Sequence, residues 1–241
     1  MKCVKFSNII NLETVNSTNS YIKNDPDHFP DGTVVFAQEQ TSGRGRLDRK
    51  WIGEKNKSIF VSFLIKNIYD NADAIRLSFL FSIALKTFFS KYVDYSSIKL
   101  KWPNDILING KKICGILSEY TKDCVIVGLG INLFDFAPAQ KISKPWTSLS
   151  SETSQTLCME ILQSELVSSI NDVFVRYCTN FASDIPMIWF RESGIIGDKI
   201  SIYDGKKLLK GTVKMINDTG ALIIQEENTK KNITVYYGDL D

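Results

Sequence analysis

Residues 101–120 read "KWPNDILINGKKICGILSEY". Pro103 sets a turn between Trp102 and Asn104-Asp105, so the Asp105 carboxylate falls at the edge of a strand. "DILI" then runs into Asn109-Gly110, and Asn-Gly between apolar runs is the strongest short hairpin signal. The chain returns as "KKICGIL". Strict alternation places Lys112, Cys114 and Ile116 on one face and Ile113, Gly115 and Leu117 on the other. A lysine pair after a hairpin turn is ordinarily a solvated edge. A glycine inside a strand marks the close approach of a ligand or another backbone.

The flanks extend this strand pattern. "TVVFA" (residues 33–37) and "SIFVSFLI" (residues 58–65) read as buried strands, as does "CVIVGLGINL" (residues 124–133). Residues 74–92 carry Ile75, Phe79 and Ile83, and then Leu80, Ala84 and Phe88, at helical spacing. A second helix over residues 157–177 places Ile161, Leu162, Leu166, Ile170, Val173, Phe174 and Tyr177 on its apolar side. After Gly194 only short strands and turns remain: Asp204-Gly205, Asn217-Asp218 and Thr219-Gly220. The expected fold is α+β, with a mixed or antiparallel sheet and segregated helices over residues 1–193. A small C-terminal β-barrel is expected over residues 194–241.

The chain has 241 residues, enough for one large domain and a small appendage. Twenty-nine basic residues balance 27 acidic ones, for a net charge of +2. That argues against a surface built throughout for nucleic acid. The five cysteines have no CxxC spacing, so free thiols in a reducing compartment are expected. No signal peptide or membrane span is read, which points to a cytoplasmic protein. The one histidine, His28, lies in the turn-rich "NDPDHFPDG" and reads as solvated. Chemistry must therefore rest on Lys, Arg, Asp and backbone amides.

Three further stretches could carry that chemistry. "TSGRGRLDRKWIG" (residues 41–53) sets Arg44, Arg46 and Arg49 around Gly43 and Gly45 and ends on Trp51. The glycines let the backbone approach an anion, the guanidinium forks suit phosphate or carboxylate, and the indole offers a flat face to a base. "NSTN" supplies Ser17, Thr18 and Asn19 at a probable helix start, where capping alone would explain them. "VGLGIN" sets Gly128 and Gly130 before Asn132; as a glycine pattern it is weak and does not match GxGxxG.

Taken in order, "STN", "QTSGRGRxxRKW", "KWPNDILINGKKICGIL", "VGLGINL" and a terminal β domain resemble biotin protein ligase over nearly the whole chain. The resemblance implies a class II synthetase-like biotin/lipoate ligase fold with an SH3-like C-terminal barrel. It implies that biotin and ATP, with Mg2+, give biotinyl-AMP, and that a lysine of a biotin carboxyl carrier domain, such as that of acetyl-CoA carboxylase, then takes the biotinyl group. It also implies the roles of residues. Ser17, Thr18, Asn19 and Gln40 surround biotin; Arg44, Gly45 and Arg46 meet its carboxylate and the α-phosphate. Lys112 is the essential lysine, spaced to Gly115, with Lys111 the lesser candidate. Trp51 and Asn132 lie by the adenine, Arg46, Arg49, Asn104 and Lys112 serve the nucleotide, and Asp105 is the acid of the "WPND" turn. Lys112, Arg46 and Asp105 are the catalytic candidates, and no metal ligand is assigned.

Two departures matter. The family's loop has a third glycine where this chain has Asp48, preceded by Leu47. Asp48 is expected to pair with Arg49 or Arg46 and order the loop, at some cost in attraction for the nucleotide. Only a short lead precedes Ser17, so no helix-turn-helix domain and no DNA-binding role are expected. Open strand edges permit a homodimer. The rival readings are a lipoate or octanoate transferase of related fold, and a nucleic-acid-binding module.

Overall fold

The computed structural model describes residues 4–47, 49–70, 72–138, 144–177, 181–203, 208–236 and 238–240. Seven strands form the main sheet: β1 (Asn8–Val15), β2 (Thr33–Gln40), β3 (Ser58–Lys66), β4 (Ile98–Lys101), β5 (Asp105–Ile108), β6 (Lys111–Thr121) and β7 (Cys124–Asn132). Their order across the sheet is β1-β2-β3-β7-β6-β5-β4. β1 and β2 are parallel, joined through helix α1 (Thr18–Asn24), and the remaining pairs are antiparallel. The sheet is thus mixed.

Alternation sorts each central strand between two faces. On β7, Val125, Val127, Leu129 and Ile131 join the main core, as do Ile59, Val61, Phe63 and Ile65 of β3. They meet α2 (Ala72–Phe89), against which α4 (Met159–Tyr177) and α5 (Phe181–Ser193) pack. On the opposite face Leu64, Cys124 and Ile126 meet Ile22 of α1 in a smaller cluster. Farther along that second face the side chains become small or polar: Ser62 on β3, Gly128 and Gly130 on β7. The register carries this opening across the sheet from Asp105, facing Gly115, to Gly130, facing Gly115, and Phe60 of β3, which faces Gly130, closes it.

The two long helices lie where the periodicity predicts, with two corrections. Ile75 and Ile161 are 37% and 58% exposed. Each stands in a first turn, Ile75 in α2 and Ile161 in α4, at the margin of the apolar stripe. α5 was not anticipated, because Pro186 within it reads as a breaker. A short helix, α3 (Leu149–Glu152), precedes α4.

The C-terminal strands are β8 (Lys199–Tyr203), β9 (Leu208–Ile216), β10 (Leu222–Glu226), β11 (Asn232–Val235) and β12 (Asp239–Leu240), in the antiparallel order β11-β10-β9-β8-β12. They form the small antiparallel C-terminal β unit expected from the sequence; among the described residues β11 and β12 do not pair. The expected turn at Asp204-Gly205 lies outside the described residues. The β9–β10 turn docks on the main body. Trp102 Nε1 donates to Gly220 O at 3.0 Å, and Arg76 Nε donates to Asp218 O at 3.2 Å. Among the described residues no helix is long and apolar enough to cross a membrane.

Candidate active site

A cavity open to solvent lies on the α1 face of the main sheet, where the glycines replace larger side chains. Its lining includes Ser17, Thr18, Asn19, Gln40, Arg44, Gly45, Arg46, Arg49, Trp51, Asn104, Asp105, Lys112 and Gly115. Every candidate site residue read from the sequence is there except Asn132 and the lesser candidate Lys111, whose Nζ pairs with Glu152 Oε1 at 3.0 Å. Lys50, Leu117, Gly128 and Gly130 also line it. Among the described residues the lining cations are Arg44, Arg46, Arg49, Lys50 and Lys112, and Asp105 is the one lining carboxylate. Low-dielectric walls with such an excess of cations favour an anion.

Lys112 reaches this pocket through an irregularity. Leu107 faces Lys112, while Ile106 faces Cys114, so Ile113 is an extra residue in β6. The bulge turns the alternation over. Ile113 and Cys114 are both in the core, and Lys112 comes out on the face of Gly115 and Leu117, not on that of Cys114 and Ile116 as strict alternation predicted. Lys112 Nζ pairs with Asp105 Oδ1 at 2.6 Å and lies 5.5 Å from the Trp51 ring centroid. Its backbone is clamped on both sides: Lys112 N donates to Pro145 O, and Thr147 N donates to Lys112 O. The neighbouring Cys114 is fully enclosed, and burial pushes its thiol pKa up, so it stays a thiol.

The Arg/Gly stretch forms a small hairpin. Trp51 N donates to Gly43 O at 3.0 Å and Gly45 N donates to Arg49 O at 2.7 Å, with Arg44 bridged to Lys50. Leu47 takes a left-handed φ of 52° at the tip, a conformation that costs a leucine about 1 kcal/mol. Asp48, the departure singled out in the sequence, lies outside the described residues. Trp51 turns back across the sheet. A Cβ on Gly130 would stand 2.3 Å from Trp51 Cε2, and one on Gly115 would stand 2.9 Å from Cζ3. The two glycines are therefore the seat of the indole. Trp51 Nε1 and Asn132 Oδ1 are buried without a hydrogen-bond partner among the described residues. Asn132 Nδ2 is already given to Thr147 O at 3.1 Å, so the side chain offers a bare acceptor.

The far end of the pocket is a polar network. Ser17 caps α1 by accepting from Ser20 N. Thr18 N donates to Gln40 Oε1 at 2.8 Å. The Ser62 hydroxyl donates to Asn19 Oδ1 at 2.6 Å and lies 2.7 Å from Thr18 Oγ1. Capping and pocket lining are thus compatible roles for "STN". Ser62 was missed because it sits mid-strand in an apolar run. Near the loop tip Arg46 Nη1 donates to Asn104 Oδ1 at 3.3 Å, joining the Arg/Gly hairpin to the "WPND" turn. Among the described residues no three His, Cys, Asp or Glu gather as a metal site.

Residues 12–132, which contain this whole constellation, match the Biotin/lipoate A/B protein ligase family. The chain belongs to that family. A bifunctional ligase/repressor BirA of Bacillus spizizenii is 28% identical over 221 residues, covering 88% of this chain and 66% of its own length. This chain thus spans just under two thirds of that relative. A biotin–[acetyl-CoA-carboxylase] ligase of Paracoccus denitrificans is 29% identical over 205 residues, or 79% of this chain and 83% of that one. Among solved structures, a biotin protein ligase from Aquifex aeolicus in complex with biotin and ATP superposes with a TM-score of 0.80 at 23% identity, over 98% of both chains. The shared fold is that of the biotin/lipoate ligases.

Proposed function

We propose that this chain is an ATP-dependent biotin protein ligase, activating biotin as biotinyl-AMP and transferring the biotinyl group to a lysine of a carrier domain. The observation that carries the reading is the juxtaposition of two unlike ends in one pocket. A cationic end built by Arg46, Lys112 and their loop meets an uncharged polar end built by Thr18, Asn19, Gln40 and Ser62. The uncharged end suits a ureido ring, which both donates and accepts hydrogen bonds. A site built to pair such groups rejects an aliphatic acyl chain that lacks them.

In the first step the biotin carboxylate attacks the α-phosphorus of ATP, and pyrophosphate leaves with the electrons of the broken P–O bond. Two anions must approach, and charge gathers on the phosphoryl oxygens. Arg46 and Lys112 stabilise that charge with little reorganisation, since Asn104 and Asp105 already hold them in place. Trp51 offers the adenine a face, and Asn132 Oδ1 an acceptor for an amino group. In the second step the neutral amine of the carrier lysine attacks the acyl carbonyl, the acyl–phosphate bond breaks, and AMP leaves. Asp105, beside Lys112, is placed to orient that amine.

Magnesium fits as a companion of the nucleotide, held mainly by phosphates, because among the described residues Asp105 is the one lining carboxylate and is paired with Lys112. On the phosphates it would neutralise charge. The acceptor is the biotin carboxyl carrier domain of a carboxylase such as acetyl-CoA carboxylase, in keeping with the substrate named for the Paracoccus relative. Cytoplasmic placement follows from the nucleotide and the thiols. A homodimer through β1 or β4, the outer strands of the main sheet among the described residues, is part of this reading, and sedimentation equilibrium in solution tests it.

The deciding experiment combines purified chain, carrier domain, ATP and magnesium with either biotin or lipoate. Avidin-detectable label on the carrier lysine, dependent on ATP, is expected. Transfer of lipoate without biotin would replace this reading with the lipoate one.

A further inference from the structure

Behind the pocket one carboxylate gathers three groups from two separate elements. Glu119 lies near the end of β6, on the face of Gly115 and Leu117, with its side chain only 14% exposed. Its Oε2 accepts from Arg44 Nη2 of the hairpin at 2.7 Å and from Asn19 Nδ2 of α1 at 2.9 Å. Its Oε1 pairs with Lys23 Nζ of α1 at 2.8 Å. Burial pulls its pKa up, but the hydrogen bonds from Lys23 and Asn19 and the charges of Arg44 and Lys23 outweigh it, so the group sits below the usual carboxylate value and stays ionised.

The consequence for Asn19 is orientation. Its Nδ2 donates to Leu117 O at 3.1 Å and to Glu119 Oε2, two acceptors that can only be met by an amide nitrogen. Its Oδ1 is thereby fixed toward Ser62 and the floor at Gly128, where an added Cβ would stand 2.3 Å from it. The consequence for Arg44 is anchoring. This residue is half-exposed on a loop, and a lone exposed pair would hold it weakly. A half-buried carboxylate that is itself held by α1 and β6 holds it in a network.

We propose that Glu119 is a positioning residue of the active site, fixing Arg44 at the cationic end and Asn19 at the polar end, so that it governs the affinity for biotin more than that for ATP. The inference rests on the biotin ligase reading for its substrate, while the anchoring of the hairpin stands apart from it. Neither Glu119 nor Lys23 lines the cavity; Glu119 acts through the residues that do.

The test measures steady-state kinetics and backbone amide exchange on the full chain. Glu119→Ala is expected to raise the biotin KM at least tenfold, with the ATP KM changed less than threefold, and to speed exchange in residues 43–51 while the central strands stay protected. Glu119→Gln, which keeps an acceptor for Asn19 but drops the charge, should fall between. Arg44→Ala should speed exchange in the same segment, and the double variant should go no further than either single one. Unchanged exchange and biotin KM in Glu119→Ala would overturn the proposal, as would equal rises in both KM values with exchange quickened throughout. Should the parent chain transfer no biotin, the functional reading fails, and the exchange comparison still decides whether Glu119 anchors the hairpin.

Discussion

Lys112 and Gly115 stand three residues apart on one strand and yet share a face, with Lys112 Nζ only 3.3 Å from where a Cβ on Gly115 would lie. In a regular strand that spacing puts two side chains on opposite faces. The bulge at Ile113 removes the contradiction, and it accounts for the lysine and the glycine lining one pocket.

Gly130→Ala and Gly115→Ala should both displace the Trp51 indole, in that order of severity. The added methyl meets the ring at 2.3 Å in the first and at 2.9 Å in the second. The ATP KM is expected to rise in both, more in Gly130→Ala, with the main fold intact by circular dichroism. Tryptophan emission should shift as the ring leaves its seat. An ATP KM in Gly130→Ala equal to that of the parent would remove Trp51 from the nucleotide site.

Lys112→Ala should lower kcat for adenylate formation by about 10²–10³-fold, the usual effect of deleting one preorganised group at a centre of developing charge. Asp105→Asn keeps the side chain's shape but loses the ion pair at 2.6 Å. It should leave the biotin KM nearly unchanged and slow transfer to the carrier more than adenylate formation. Pyrophosphate release and carrier labelling, followed separately, check this. A larger loss in the first step than in the second would assign Asp105 to activation.

Glu152 gives a pH signature. Burial raises its pKa, but hydrogen bonds from Thr147, Asn109 and Lys111 lower it further, and the net shift is downward. A depressed folded pKa contributes stability that is present above the unfolded value of about 4.3 and is lost as pH falls through the folded one. Glu152→Gln should therefore melt below the parent at pH 6, and the gap should close as the pH drops under about 4.3. A gap that stays constant with pH would show that charge on Glu152 is not what stabilises this corner.

The docking of the small sheet can be probed at Gly220. It has a φ of 82°, and an added Cβ would stand 2.5 Å from Ile75 Cγ2 and 2.8 Å from Phe79 Cε2. Gly220→Ala should destabilise by about 1–3 kcal/mol, as overpacking does. Trp102→Phe, which loses the bond to Gly220 O, should cost about 1 kcal/mol or more. Urea unfolding midpoints measure both. Since Trp102 begins the turn that carries Asn104 and Asp105, Trp102→Phe should also slow turnover.

The main elements were legible in the sequence because their signals are local. Asn109-Gly110 makes its hairpin with φ of 50° and 76°, the apolar runs of β3 and β7 became central strands, and α2 and α4 followed their periodicity. The candidate residues were legible because the motif types carry their own chemistry, and all but Asn132 and Lys111 line one pocket. Lys112's face was misread, since a bulge depends on pairing with β5 and leaves no mark in composition. Glu119 and Ser62 were missed, since each looks ordinary in its strand and matters only through side chains 75 and 43 positions away.

By itself, then, the sequence determined most of the segments that become strands and helices, α5 excepted, and which stretches hold the cations, the hydroxyls and the glycines. Local propensity and residue chemistry suffice for that. Tertiary structure alone decided that β6 takes up an extra residue, that Trp51 lies across Gly115 and Gly130, and that Glu119 binds Arg44, Asn19 and Lys23 together. Those relations arise where strands far apart in the chain come into register, and only there do their side chains acquire neighbours.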